Sequence, residues 1–254
     1  MEKVQTLRLD ALAFGQDLHK FATEILSRQT AAQNDKQRIF LFAQAIRMYR
    51  TAEAVCKLVE HDLNDAAGAV LRCLLEQMFV FSAVNMDAAH LQALAKEGSA
   101  ESHKALSGLR RMAVESRPED LTDDVLRESL EEFTKGSGFN VFEWARLSGH
   151  GDSYHTLWRT LCDYAHGSSA MVCNYLDFDE NGAILGIRSK IASVAAIEFV
   201  LVASAIVLNA VSTLDVQVNT PAVHAKAEEL SETQRTLYAK FWDLKNEPLH
   251  GKSS

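Results

Sequence analysis

The apolar positions of this chain recur mostly at steps of three and four residues, the spacing of one face of an α-helix. The clearest run lies at about 38–61. Its apolar residues form a seam that we predict packs against another helix: Phe42, Ala45, Tyr49, Ala52, Cys56 and Val59. Similar patterns, separated by polar or proline-containing breaks, cover most of the chain. They predict helices at about 6–28, 38–61, 66–85, 87–97, 99–115, 122–133, 141–147, 154–166, 191–211 and 220–244.

Two of these predicted helices are apolar on almost every side. Between residues 66 and 81 the only strongly polar side chains are Arg72, Glu76 and Gln77, and such a helix belongs in the centre of a bundle. The other, residues 191–211, is long enough to cross a bilayer. It carries Glu198 near its first third, however, and we find no second segment of this kind and no aromatic belt. We therefore expect a core or dimer helix rather than a membrane-associated one.

Residues 175–187 follow a different pattern, with alternating apolar positions around Asn181 and Gly182. This pattern is typical of a small β-hairpin. Because an isolated hairpin is only marginally stable, it must rest on the helical body or on a partner. The chain is therefore predicted to be all-α, a multi-helix bundle with one small β-hairpin insertion at about 175–187. Without an internal repeat or a long linker, residues 1–254 are expected to form a single helical domain.

Composition supports helices, because only three prolines and twelve glycines interrupt the 254 residues. The net charge of −8 disfavours broad electrostatic binding to nucleic acid, although a local basic patch stays compatible with it. DNA is therefore not an expected partner. Charged residues, among them Lys3 and Arg8, precede any long apolar run, so we expect no signal peptide and a cytoplasmic location.

The residues that commonly bind metals do not form a recognisable motif. The four cysteines (Cys56, Cys73, Cys162 and Cys173) contain no CxxC pair and are expected to be buried, reduced thiols. His150 and His155 flank a loop-to-helix junction, but no third ligand follows at helical spacing and no HExxH occurs. We expect neither a metal nor a cofactor.

Candidate chemistry is concentrated in YHTLWRTLCDYAHGSS, residues 154–169. Arg159 and His166 are seven residues apart, so a helix places them on one face. A histidine can take a proton from a ribose hydroxyl or give one to a leaving oxygen. An arginine can hold a phosphate through its bidentate fork. This pair would suit metal-independent RNA cleavage, with two chains of a homodimer supplying an acid and a base.

A structural role for the same residues stays open. Asp163 lies four residues after Arg159 and three before His166, so the three side chains can form a local ion-pair cluster. Arg72 and Glu76 are four apart and can pair. They either line the same cleft, with Glu76 orienting His166, or form a buried network that fixes the register of the helices. Tyr154 belongs to the same expected polar cluster.

Two stretches carry a resemblance to known families. Residues 69–81 (AVLRCLLEQMFVF) and 154–169 resemble the signature helices of a bacterial all-helical family of unassigned function, an Arg-x3-Glu helix followed far downstream by a helix ending in a small residue and a histidine. The second stretch also resembles the Arg-x4–6-His pattern of the HEPN superfamily, many of whose members are metal-independent endoribonucleases of toxin and antiviral defence systems. The position after the arginine, often Asn, Asp or His in those nucleases, is Thr160 here.

The resemblance implies a homodimer in which Arg159 and His166 face a shared RNA cleft. The leading functional hypothesis is therefore a HEPN-like, RNA-cleaving or RNA-binding component of a bacterial toxin or defence system, with His166 as acid/base and Arg159 as phosphate clamp. The alternative is a non-catalytic helical module that binds a protein partner. That alternative predicts that Arg159 and His166 are buried in an internal network.

Overall fold

The computed structural model describes residues 2–28, 34–96, 98, 140–166, 172–173, 175–179, 181–187, 193–215 and 221–246. The predicted all-α class with one β-hairpin insertion is confirmed, and the predicted helices at 99–115 and 122–133 lie outside the described residues. Residues 90–96 are also helical. In chain order the elements are α1 (Glu2–Arg28), α2 (Lys36–Glu60), α3 (Asn64–Met86), α4 (Val141–Leu147), α5 (Gly151–Ser153), a π-helical turn (Tyr154–Trp158), α6 (Arg159–His166), β1 (Leu176–Phe178), β2 (Ile184–Ile187), α7 (Ser193–Asp215) and α8 (Pro221–Asn246).

The core is built around α3 and α7, the two helices without a continuous polar face. Helix α7 packs against α1, α2, α3 and α8, while α3 also contacts α2, α4 and α6. Leu71 and Leu74 of α3 and Ile197 and Leu201 of α7 are fully buried. The predicted central position of the stretch at 66–81 is confirmed.

Glu198 of α7 lies close to two residues of α8. Glu198 lies 3.5 Å from the ammonium of Lys245, and burial together with the nearby Glu198 charge raises the pKa of Tyr238 to about 12. The Glu198 carboxylate is thus accommodated at the partly exposed contact between α7 and α8, where α8 supplies a cation.

Length and composition would allow two helices to cross a membrane, Asn64–Met86 and Val194–Leu214. The expectation that only one such segment exists was wrong, because the polar side chains of α3 are too few to lower its hydropathy. Most of each helix is buried within the bundle. The core helix of a soluble protein can have the same length and apolar composition. A role away from the membrane stays a prediction.

Helix α2 buries a slightly different face from the one predicted. Ala45, Ala52 and Val59 are buried as expected, but Phe42, Tyr49 and Cys56 are only half-buried. The residue immediately before each of these three is buried in the core instead, because α2 packs against both α3 and α7. These fully enclosed residues are Leu41, Met48 and Val55.

Helix α2 runs into α3 through a tight turn. The N–H of Leu63 donates to the carbonyl of Leu58 at 2.8 Å and that of Asp62 to Val59 at 3.0 Å, the hydrogen bonds of a Schellman motif. Asp62 adopts φ +61° where glycine is usual. The buried guanidinium of Arg8 on α1 lies 2.6 Å from the carboxylate of Asp62 and donates to the Val59 carbonyl. Arg8 thus ties α1 to this turn.

Helix α3 begins without a side-chain cap. Leu63 is the N-cap residue and makes no side-chain cap hydrogen bond. The turn from α2 is so short that Asn64 is already helical and buried. Asp65 instead accepts a hydrogen bond of 2.8 Å from the hydroxyl of Tyr175, at the start of the hairpin.

The cysteines are free, as predicted, but not all are buried. Cys56 and Cys162 are half-buried, whereas Cys73 and Cys173 are exposed. The expectation of burial was wrong for Cys73 and Cys173, whose side chains face solvent.

The hairpin pairs β1 with β2 in antiparallel fashion, with Leu176 opposite Ile187. Gly182 adopts φ +82° in its turn, where a side chain would be strained. The Asp179 carboxylate accepts hydrogen bonds from the backbone of Asn181 and Ala183. These contacts stabilise the turn locally.

A glycine on α3 sets the distance of α6 from the core. A Cβ atom at Gly68 would lie 2.7 Å from the ring of Tyr164 on α6. Tyr164 packs edge to face on Phe199 of α7, with ring centroids 5.3 Å apart, and Leu161 of α6 is fully buried. Tyr164 therefore fixes α6 against both central helices.

We predict that Gly68→Ala lowers the free energy of unfolding by about 1–3 kcal/mol, because the added methyl overlaps the Tyr164 ring. In a Tyr164→Ala background the same substitution should instead stabilise by up to about 1 kcal/mol, since alanine has the higher helix propensity. Urea unfolding followed by circular dichroism measures both. The same effect of Gly68→Ala in the two backgrounds would contradict the proposed contact.

Candidate functional site

The helix that carries the predicted motif is irregular where it begins. The N–H of Arg159 donates to the carbonyl of Tyr154, five residues earlier, which defines the π turn. Hydroxyls of Thr156 and Thr160 donate to carbonyls four residues back, at 2.8 and 2.7 Å. Such threonine bonds compete with the backbone ladder and bend helices. Single π turns are frequent at functional sites.

The π turn is held on α3 by four side chains that we call the Trp158 cluster: Arg72, Glu76, Tyr154 and Trp158. The predicted Arg72–Glu76 pair is present, with guanidinium and carboxylate 3.1 Å apart. The indole N–H of Trp158 donates to the Glu76 carboxylate at 3.0 Å. The Arg72 guanidinium carbon lies 4.9 Å from the Trp158 ring centre, a cation–π distance. Tyr154 stacks on Trp158 with centroids 4.7 Å apart.

The charges of this cluster are matched internally. Both ionic side chains are largely buried, with 22% of Arg72 and 24% of Glu76 exposed. Because the carboxylate neutralises the guanidinium, the pair presents no net charge to an anionic ligand. One atom, Nε of Arg72, is buried and has no hydrogen-bond partner in the described part of the chain. The cluster therefore best supports a positioning role for the π turn.

Aromatic side chains extend the cluster towards solvent. Phe142 of α4 lies 5.2 Å from Tyr154 and 5.4 Å from His155, measured between ring centroids. Phe142 is 39% exposed, and His155 is exposed. Trp158 and Phe142 were not predicted to belong to the site. The spacing of four residues between Tyr154 and Trp158 was a signal for the first, because it puts both rings on one helix face.

Arg159, Asp163 and His166 are all exposed on α6. Since the π turn ends before Arg159, the seven residues to His166 are regular α-helix and separate the two by about 10 Å along the axis. Among the described residues, no hydrogen bond or ion pair joins these three side chains. Glu76 contacts Arg72 and Trp158 rather than His166. The Arg159–His166 face is thus accessible and separate from the Trp158 cluster.

The remaining histidines near the site do not form a metal centre. His150 is half-buried and tilted against Phe79 at 6.2 Å, and burial lowers its pKa below the usual range for histidine. His155 packs on aromatic rings. Within the described ranges no group of three or more His, Cys, Asp or Glu residues is placed to hold a metal ion.

The fold and the site together define an all-α protein in which an irregular helix packs on a buried central one. Residues 38–184, more than half of the chain, match the family of unknown function DUF5677, and the chain belongs to that family. This region contains all but the first two residues of α2, all of α3 and the whole Trp158 cluster. No curated protein and no solved structure matches the chain. The predicted likeness to a family of unassigned function is confirmed, while the HEPN likeness stays a prediction.

We predict that Trp158→Phe lowers the free energy of unfolding by about 1–3 kcal/mol, because it leaves the buried Glu76 carboxylate without the indole donor. Trp242→Phe on α8, where the ring is 48% exposed, is the matched control and should change stability by less than about 0.5 kcal/mol. Urea unfolding of the two variants checks this. Equal effects at both positions would show that the hydrogen bond contributes nothing.

Proposed function

We propose that the protein binds RNA on the exposed face of α6 and cleaves it without a metal ion. The observation that carries this proposal is that Arg159 and His166 are accessible on one face of a regular helix held firmly on α3. A purely structural pair would be expected to contact each other, Asp163 or the core. The resemblance of their spacing to the HEPN pattern adds support.

The chemistry follows from the two side chains. Arg159 would hold the scissile phosphate through its guanidinium fork and stabilise charge developing on its oxygens. His166 would take the proton of the ribose 2′-hydroxyl as that oxygen attacks phosphorus. The bond to the 5′-oxygen breaks, leaving a 2′,3′-cyclic phosphate and a 5′-hydroxyl. The second proton transfer, to that oxygen, needs an acid, which His166 of a second copy would supply in a homodimer.

The aromatic rim next to α6 fits single-stranded RNA better than a duplex. Unpaired bases stack on exposed aromatic rings, and Phe142 and His155 are both accessible. In this proposal the protein is a cytoplasmic component of a bacterial toxin or defence system. The overall charge of −8 confines RNA contacts to a local surface.

We predict that the purified protein cleaves a fluorescent single-stranded RNA in the presence of EDTA and leaves 2′,3′-cyclic phosphate ends. His166→Ala should reduce the rate at least about 100-fold, because general acid–base catalysis contributes about that much or more. Arg159→Ala should weaken RNA binding and lower the rate. Gel electrophoresis and end-group analysis measure the products.

The matched controls are His224→Ala and Arg235→Ala on α8, both exposed and paired only with neighbouring glutamates among the described residues. They should cleave as the unchanged protein does. Absence of cleavage by the unchanged protein, or equal rates for His166→Ala and His224→Ala, would refute catalysis on α6.

A second candidate is the non-catalytic protein-binding module, and the hairpin favours it. Ile184, Leu185 and Ile187 of β2 are 61%, 71% and 82% exposed. Three exposed aliphatic side chains within four residues are unusual for a solvated strand, and exposed apolar patches often mark binding surfaces. In this reading the hairpin binds a protein partner and α6 is a structural helix.

The two candidates differ in what the hairpin variant Leu185→Lys/Ile187→Lys does. If the hairpin is the binding surface, the charges should abolish capture of the partner or of a second chain, because desolvating an unpaired lysine is unfavourable. Light scattering after size exclusion measures the oligomeric state. A dimer that survives this double variant yet dissociates with Arg159→Glu would place the interface on α6 instead.

A further inference from the structure

A cavity of about 300 Å³ opens between α1, α2 and α7, on elements that do not include the π turn or α6. This volume lies at the lower end of the range for small-molecule sites. Its apolar lining comes from all three helices and includes Leu12, Leu18, Ala52 and Val207. Polar side chains converge at one side of it. The cavity is therefore distinct from the site proposed for RNA.

A closed set of hydrogen bonds joins His19 and Tyr49 of the cavity lining to the exposed Thr23. The Thr23 hydroxyl donates its single proton to the His19 carbonyl at 2.9 Å. It must therefore accept from the Tyr49 hydroxyl, 2.6 Å away, and Tyr49 in turn accepts from Nε2 of His19. The two rings are also stacked, with centroids 4.2 Å apart. This arrangement satisfies Nε2 of His19 without using a carboxylate.

Glu53 is consequently available to a ligand. Its carboxylate lies 3.8 Å from Nε2 of His19, a distance too long for a hydrogen bond, and that proton is already given to Tyr49. Glu60 lines the same cavity and is exposed. Of the lining cations, Lys20 is bound to Asp17 at 3.1 Å. Lys57 is the remaining lysine of the lining.

Two carboxylates act on the thiol of the inner wall. Cys56 lines the cavity, and its pKa is raised to about 11 by burial and by the charges of Glu53 and Glu60, against a smaller opposing effect of Lys57. Its thiol therefore stays neutral, and an anion placed beside it would meet the charges of the same two carboxylates. Gly15 completes this wall, because a Cβ there would lie 3.0 Å from Sγ of Cys56.

We propose that this cavity binds a small organic ammonium ion, with the apolar body of the ligand against Leu18 and Val207 and the ammonium group between Glu53 and Glu60. A carboxylate without a hydrogen-bonded partner, in a partly desolvated pocket, forms strong charge-assisted hydrogen bonds with such a cation. An anion of the same shape meets two carboxylates and only one lysine that is not already bound to aspartate. The ligand class is thus set by charge and the upper size limit by the cavity.

Three probes of matched shape test this at pH 7 by isothermal titration calorimetry: 2-phenylethylammonium, 2-phenylethanol and 3-phenylpropanoate. The ammonium should bind about tenfold more tightly than the alcohol, because one charge-assisted hydrogen bond contributes about that factor. The propanoate should bind more weakly than the alcohol. Equal binding of the three probes, or no binding of the ammonium, would overturn the proposal.

Glu53→Gln keeps the shape of the side chain and removes its charge, so it should weaken ammonium binding about tenfold while leaving the alcohol unchanged. Glu232→Gln on α8, 70% exposed in its side chain, is the matched control and should bind like the unchanged protein. Circular dichroism confirms that both are folded, and Glu60→Gln replaces Glu53→Gln if that variant is not. Equal affinities of the two glutamine variants would refute the assignment.

The position of the ligand is tested with Cys56 as reporter, in a chain whose other three cysteines are replaced by serine. Bound 2-phenylethylammonium should slow alkylation of Cys56 by N-ethylmaleimide, because the thiol lies in the cavity wall, and phenylpropanoate at the same concentration should not. Binding without protection of Cys56 would place the ligand elsewhere and overturn the proposal. RNA cleavage by α6 is a separate readout, so either proposal can fail alone.

Discussion

Two helices that lack a hydrophilic face, α3 and α7, can exist in water only when other helices enclose them. Each fully buried leucine, isoleucine or phenylalanine contributes about 1.5–3 kcal/mol to folding, and both helices carry several. The amphipathic helices α1, α2 and α8 surround α7, while α2, α4 and α6 cover α3. The arrangement of the bundle follows from this requirement, including the location of Glu198, whose charge needs Lys245 from α8.

The candidate site depends on the same enclosure. Helix α6 approaches α3 closely because Gly68 leaves room for the Tyr164 ring. The π turn before it is bound to α3 through Trp158, whose indole contacts Glu76. The largely buried pair of Arg72 and Glu76 lies where the π turn packs on α3. Arg159 and His166 are exposed on α6.

The cavity between α1, α2 and α7 arises from a different feature of the packing. Helix α2 turns Met48 and Val55 towards the core and leaves Tyr49 and Cys56 half-buried. Tyr49 can then reach His19 and Thr23 at the edge of the core, where the hydrogen bonds among the three residues satisfy one another. Because α2 buries this face and leaves the neighbouring one partly open, the cavity has both an apolar lining and a carboxylate.

Patterns within single segments were enough to predict the helical class, the hairpin, the central burial of α3 and the pairing of Arg72 with Glu76. Each depends on residues close in sequence, whose spacing fixes the face on which they lie. The bond from Trp158 to Glu76 spans 82 residues, and the contact of Arg8 with Asp62 joins α1 to the turn between α2 and α3. The cap at Leu63, the exposure of Cys73 and the cavity also depend on how neighbouring helices approach one another. Only the tertiary structure decided these features, because the spacing of residues along one helix does not determine its distance from the next helix or its rotation relative to it.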